Sequence, residues 1–345
     1  MKIGIIGAGL SGLTAGRILA RAGHEVSVFE KSKGYGGRMS TRRSGSNPVH
    51  LLDHGAPYLA GSSPEFSSFI QELKKNNIIT EWSADLVKYS NGTISKETSG
   101  RYSQNWHVAP SGMNSIGKYL GRWLDLYLDE KVGAITHIGG AGARKKAWMI
   151  NSSSINVFEA DAVVIATPAI QAYGLISTAQ DEFDLRKMIT MLDDIPYSST
   201  YSLMARYGKF DMPEWSAMIC DHPVISWVCN EGSKRDSDRE SIIVTHTTDS
   251  YCKESLEEDD RGQVTSHILA ALKDILGPWA GNPEWCQPHL WRYHLPGKSL
   301  DMPFLESDNE EAPIAVVGDY FQGKSLEAAY LSGFKLGEYW ASKFA

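Results

Sequence analysis

The sequence predicts an α/β fold: a Rossmann-like dinucleotide-binding domain on a parallel sheet, carrying an inserted, β-rich α+β substrate domain. Three observations predict it. Gly7-Ala8-Gly9-Leu10-Ser11-Gly12 directly follows the apolar run 3–6, and a helical pattern follows the glycines. Glu30 closes a second apolar strand, 25–30, at the spacing of a ribose-binding acid. Far downstream, the near-continuous apolar runs 161–168 and 312–317 read as further buried parallel strands, and the second ends in Gly318-Asp319.

The first strand, the helix over 11–22 and the strand 25–30 form a parallel βαβ unit, with Gly23 ending the helix. Glycine at 7 permits a tight turn, glycine at 9 lets the backbone approach a pyrophosphate, and glycine at 12 lets helix and strand pack closely. The pyrophosphate would sit at the helix N-terminus, where peptide dipoles favour negative charge. Residues 53–58 bring the chain back toward the cofactor. The pattern predicts a helix over 64–76, with Phe66, Phe69, Ile70 and Leu73 as its buried stripe. Turns at 90–93 and 98–101 suggest hairpins, and Pro110 opens a helix running to about residue 128. The runs 148–150 and 155–158 read as a hairpin. Runs 197–207, 224–229 and 241–247 read as strands of a β-rich part roofing the cofactor, and 255–276 as a helix. A last helix starts near Ser325. The cofactor domain is expected from 1–63, 103–170 and 305–345, and the substrate domain from 64–102 and 171–304.

Composition narrows the function. A chain of 345 residues with 42% hydrophobic and 22% charged residues suits two soluble domains. A net charge of -7 argues against general nucleic-acid binding. The basic cluster Arg38, Arg42 and Arg43 lies beside the glycine motif, and Arg42 and Arg43 read as a solvated loop. Likewise the acidic run 257–260 reads as a solvated helix face. The four cysteines, Cys220, Cys229, Cys252 and Cys286, have neither Cys-x-x-Cys spacing nor histidine neighbours, so a disulfide scaffold and a zinc site are poorly supported. No apolar run approaches bilayer length, and the first strand leaves no room for a leader, so no membrane partner and a cytoplasmic location are expected.

Gly36-Gly37-Arg38 decides which dinucleotide is expected. An NAD site has no particular need for a second glycine pair and an arginine just beyond its acid. A longer flavin dinucleotide can use that guanidinium as a paired, charge-assisted grip on its pyrophosphate. Together, Gly7, Gly9, Gly12, Leu19, Gly23, Val26, Glu30, Gly36, Gly37 and Arg38 resemble the extended FAD fingerprint of the flavin amine oxidase superfamily, which implies a GR2-type flavoprotein. Gly16 departs from the usual alanine. Asp319 after its strand can accept from a ribityl hydroxyl. FAD, held non-covalently, is the expected cofactor, and no metal is expected.

The resemblance extends to the renalase branch of that superfamily. It runs through residues 36–41, 53–58, 108–113, 196–201 and 244–248, then Trp291-Arg292 and Gly318-Asp319. This implies an oxidase that takes hydride from 2- or 6-dihydro isomers of NAD(P), releases NAD(P)+ and returns the electrons to O2 as H2O2. By motif, Ser11, Arg38, Pro57 and Tyr58 would contact FAD, with Val132 near the adenine. Pro57 stands where animal members have glutamine. The cofactor set is therefore Gly7, Gly9, Ser11, Gly12, Glu30, Lys31, Gly37, Arg38, Pro57, Tyr58, Val132 and Asp319. Tyr201, His246, Trp291 and Arg292 fall in matching segments of the substrate pocket, with Trp227 and His294 as further candidates. A purely structural histidine at 246 stays open. Two other functions also stay open: a flavin enzyme of the same fold acting on amines or an apolar substrate, and a flavin-binding protein without turnover.

Overall fold

The computed structural model describes residues 1–45, 49–97, 105–139, 146–154, 157–179, 185–209, 211–235, 241–257 and 261–345. The turn expected at 98–101, residues 155–156 of the expected hairpin and 258–260 of the acidic run lie outside the described residues.

Alternation along the first strand, Lys2–Ile6, sets the layers of the amino-terminal part. Ile3 and Ile5 point into a core with the helix Leu10–Arg21 and the C-terminal helix Leu326–Lys343, while Ile6 points into a second core on the opposite face. Glu25–Glu30 pairs parallel to this strand on one side and Ala162–Ile165 on the other. The six-stranded sheet runs Leu305–Glu306, Ile314–Val316, Ala162–Ile165, Lys2–Ile6, Glu25–Glu30, Asp125–Leu128, and only the Leu305–Glu306 pairing is antiparallel. Its second face is covered by a three-stranded sheet, Val132–His137, Trp148–Ser152 and Phe158–Ala160, with Ile135, Trp148 and Ile150 fully buried between. Of the hairpin expected from the runs 148–150 and 155–158, the antiparallel pairing is present with its second strand at Phe158–Ala160, Trp148 lying opposite Ala160 and Ile150 opposite Phe158.

Residues 125–128 correct one expectation. The helix opened after Pro110 covers only Asn114–Leu120, and Asp125–Leu128 is instead a parallel edge strand beside Glu25–Glu30. The Glu25–Glu30 edge offers free backbone groups, and pairing with them outweighs the local helical pattern beyond Gly121. Of the helix expected over 255–276, Arg261–Leu276 is helical and Ser255–Glu257 is a 3-10 turn that follows a short helix, Asp249–Glu254, capped by Thr248. Helix Pro64–Lys75 forms as expected with the same four buried residues, but its stripe packs into the core shared with Ala329 and Tyr330 of the last helix. Ala172, Leu175, Met188 and Leu192 also pack against the three-stranded sheet. Residues 64–75, 171–179 and 185–193 fall within the segments expected for the substrate domain.

The inserted part is a seven-stranded sheet ordered Trp285–Pro296, Tyr197–Arg206, Ile242–Thr247, Ile225–Asn230, Ala217–Cys220, Leu86–Ser90, Thr93–Lys96. Leu86–Ser90 and Thr93–Lys96 are joined by the expected tight turn, with Asn91 and Gly92 at positive φ. One face packs on helix Arg261–Leu276 through Tyr201, Leu203, Ala205 and Ile243. The other face looks toward residues 52–58, which return from the nucleotide motif.

Candidate functional site

Gly7 sits at φ +112° and donates its N–H to the Phe29 carbonyl at 2.8 Å; a side chain there would lie 2.6 Å from the Ala166 carbonyl oxygen. A side chain at Gly12 would collide with the Gly7 carbonyl, so that glycine is fixed by close helix–strand packing. Gly9 differs: a methyl group there would meet no protein atom within 4 Å. The space the protein leaves is at the N-terminus of helix Leu10–Arg21, where a phosphate is favoured. Gly37, at φ +53°, packs against Gly9 from the other side of the turn, and the Gly36 N–H donates to the Ala8 carbonyl at 2.8 Å. Glu30 is buried at the end of its strand, accepting from the Ala8 and Ser32 N–H groups, each at 2.9 Å. A carboxylate offers about four acceptor positions, so it can still receive ribose hydroxyls. Lys31 is exposed beside it, and Ser11 is buried in the first helical turn. The Glu130 N–H donates to the Glu30 carbonyl at 2.9 Å, which brings the start of strand Val132–His137 to the same end of the sheet.

Arg38 and Asp319, expected to grip different parts of the cofactor, are brought together as one bidentate pair. Arg38 Nη1 and Nη2 donate to Asp319 Oδ2 and Oδ1 at 2.7 Å, and Nη1 also donates to the His294 carbonyl at 2.7 Å. Burial opposes the guanidinium charge, yet the Asp319 carboxylate outweighs it and the pKa of Arg38 is raised. These bonds use three of five guanidinium N–H groups, leaving two for another acceptor. The Ala56 N–H donates to the Arg38 carbonyl at 2.7 Å, pinning half-buried Pro57 and Tyr58 beside the glycine turn.

On the facing side, the antiparallel register lines up His289, Ser202, His246 and Trp227 in one row across four strands. Residues 54–58 cover this row. The His54 ring meets His289 edge-on at 4.8 Å and stacks with Trp291 at 5.4 Å, while Tyr58 stacks on Trp106 at 4.0 Å and lies 6.1 Å from Trp227. The His54 carbonyl is a hub: it accepts from Trp291 Nε1 at 2.7 Å and from the His246 ring. Ser202 Oγ, His246 Nε2, Trp227 Nε1 and His54 Nδ1 are buried without a hydrogen-bond partner. Buried polar atoms are nearly always satisfied, so four such atoms around one row mark a place built for a polar ligand or water.

The histidines of this wall are held neutral. Burial, then the neighbouring His294, lowers the His246 pKa to about 3; burial, then His289 and Arg42, lowers that of His54 to about 4; burial, then Arg38, lowers that of His294 to about 4. Because the partnered ring nitrogen of His246 donates to the His54 carbonyl, Nε2 keeps its lone pair and is an acceptor.

Two of the four pocket candidates, His246 and Trp291, thus meet at this row. Tyr201 and Arg292 do not. Tyr201 is buried in the core under helix Arg261–Leu276, and Arg292, one position beyond Trp291 on its strand, is exposed. A one-residue offset in a strand reverses the face, which sequence similarity alone did not register. Ser202 and the His54 hub were missed; the signal available was the register itself, one residue after Tyr201. The segment Glu231–Lys234 with Arg235, undiagnostic in sequence, supplies a buried charge cluster beside Asp53.

Comparison with known proteins agrees with this geometry. A family model described as an NAD(P)-binding Rossmann-like domain matches residues 5–73. Renalase from Mus musculus is 25% identical over 308 residues, covering 85% of this chain and 84% of that protein. A 4,4'-diapophytoene desaturase from Staphylococcus aureus is 55% identical over 40 residues only, 12% of this chain and 8% of that protein. Among solved structures, cyclohexylamine oxidase from Brevibacterium oxydans superposes with a TM-score of 0.74 at 13% identity, covering 99% of both chains. A putrescine oxidase variant gives a TM-score of 0.70 at 14% identity, covering 99% of this chain and 98% of that one. The similarity to renalase spans both parts of the molecule, the nucleotide turn is that of a Rossmann-like dinucleotide-binding domain, and the chain as a whole is similar to renalase and shares its fold with cyclohexylamine oxidase and putrescine oxidase.

Proposed function

We propose that this protein is an FAD-dependent oxidase of dihydronicotinamide dinucleotides in their 2- and 6-dihydro forms. Bound FAD would supply the redox chemistry, taking a hydride from the substrate ring and, with a proton, passing both electrons to O2 to give NAD(P)+ and H2O2. The chain's own residues bind and align. Gly9 leaves room for the pyrophosphate at the helix terminus, Glu30 faces the ribose end, and Arg38 retains two N–H groups beside Asp319.

The unsatisfied row carries the choice of substrate. Trp227 Nε1–H is a donor and His246 Nε2 an acceptor, on directly paired strands. A primary carboxamide, such as that of nicotinamide, presents the complementary acceptor and donor in one plane. A site that hydrogen-bonds such a group rejects analogues lacking it, because its own buried atoms are then left unpaired. Simple amines offer no carbonyl to Trp227. A hydride donor whose ring is already reduced also gives up no separate proton, so neutral imidazoles suffice.

The test is anaerobic mixing of the flavin-loaded protein with 2- and 6-dihydronicotinamide dinucleotides and, separately, with monoamines. Bleaching of the oxidised flavin band by the dinucleotides, with NAD(P)+ formed, is the expected result. Bleaching by amines alone would assign the protein to amine oxidation, and no bleaching by either would remove both activities.

A further inference from the structure

Behind the row lies a cluster of four charges with almost no access to water. Lys234 and Asp53 side chains are 0% exposed, Glu231 1% and Arg235 10%. Lys234 Nζ donates to Glu231 Oε1 at 2.5 Å, Arg235 Nη1 donates to Glu231 Oε2 at 2.8 Å, and Arg235 Nη2 is paired with Asp53 Oδ2. Asp53 Oδ1 accepts from Thr41 Oγ1 at 2.6 Å and from the Met113 N–H at 2.9 Å. Glu231 Oε2 also accepts the backbone N–H of Asp53 at 3.0 Å. Removing four charges from water is costly, and apolar packing of the same volume is often as stable, so fixed geometry is the better account of such a cluster.

What the cluster fixes is identifiable. Asp53 immediately precedes His54, whose carbonyl receives both Trp291 and His246. Glu231 immediately follows strand Ile225–Asn230, which carries Trp227. One carboxylate therefore ties the covering segment to the strand of the row's donor, and sets where the His54 carbonyl meets the row's acceptor. We propose that Glu231 is a positioning residue for the substrate site: by holding the Asp53 backbone it places the His54 carbonyl, which fixes the tautomer and orientation of His246. This rests on the reading that the row holds the substrate.

The test compares Glu231→Gln, which keeps an oxygen able to accept from Asp53, with Glu231→Met, which does not. A double variant, Glu231→Met with Lys234→Met, keeps the buried charge balanced should the single replacement fail to fold. In the flavin-loaded wild type, 15N signals of the His246 ring should show one tautomer, with Nε2 unprotonated. The Met variants should lose that single tautomer and reduce their flavin about 10- to 100-fold more slowly, at unchanged flavin content. Glu231→Gln should restore both tautomer and rate. A folded Met variant with a single unprotonated Nε2 and wild-type reduction rate would overturn the proposal, as would equal impairment of the Gln and Met variants. If wild type oxidises no dihydronicotinamide, the functional reading fails, while the tautomer measurement still decides the positioning role.

Discussion

At the scale of single residues, the glycine motif separates into positions fixed by packing and one, Gly9, that faces open space. Gly12→Ala should destabilise the protein with or without flavin, because the new methyl meets the Gly7 carbonyl. Gly9→Ala should leave the melting temperature of flavin-free protein unchanged and lower flavin affinity, because its methyl meets only the space left for the cofactor. Thermal melts of both variants, flavin-free and loaded, check this; a matched loss in both would refute it. His246→Phe should retain flavin and weaken dihydronicotinamide binding by about 1–3 kcal/mol through the lost buried hydrogen bond, read as a rise in the dissociation constant in anaerobic titration. The glycine turn and Glu30 were legible as candidates because they lie within a single βαβ unit, whereas the pairing of Arg38 with Asp319 was not. His246 and Trp291 were legible as candidates, but their separation from Tyr201 and Arg292 was not, since facing is decided by strand register.

Among the secondary elements, the contact between the first and last helices shows how a distant segment completes a local one. A side chain at Gly333 of the C-terminal helix would collide with the Ser11 carbonyl, and one at Gly337 would lie 2.9 Å from Ile18. Gly333→Val should therefore cost about 1–3 kcal/mol by overpacking and shift the start of helix Leu10–Arg21, where the pyrophosphate is expected. Calorimetry and flavin content should fall together; a stable, fully loaded variant would contradict this packing argument. Helices with a clean apolar stripe, such as Pro64–Lys75, were readable in sequence to within a residue. Asp125–Leu128 was not, because its strand state comes from the pairing edge of Glu25–Glu30.

Over the whole molecule, two buried histidines and the half-buried His294 couple stability to acidity. His54, His246 and His294 are held neutral, with pKa values lowered from 6.5 to about 4, 3 and 4. The unfolded chain takes up protons below pH 6.5 that the folded chain refuses until near pH 4. Stability contributed by the neutral rings is therefore full above pH 6.5 and lost on acidification, by up to about 1.4 kcal/mol per ring per pH unit. Melting temperature should fall steeply from pH 6.5 to 4, and the slope should lessen in a His294→Gln variant; an unchanged slope would mean that this ring titrates normally when folded. Arg38 joins the glycine turn, the last strand of the parallel sheet and the edge strand of the seven-stranded sheet. Arg38→Ala should release flavin and make the junction between the two sheets more open to limited proteolysis, whereas full flavin retention would remove Arg38 from the cofactor site.

By itself the sequence determined the dinucleotide-binding unit, the parallel sheet assembled from both ends of the chain, and the β-rich character of the insertion. These rest on local spacing and strand-length apolar runs, which act over a few residues. Only the tertiary structure decided that Arg38 and Asp319 pair, that His289, Ser202, His246 and Trp227 form one row, and that Asp53, Glu231, Lys234 and Arg235 share a buried cluster. Those relations join residues as far apart as 38 and 319, and they depend on strand register and on the exclusion of water, neither of which any local window of sequence contains.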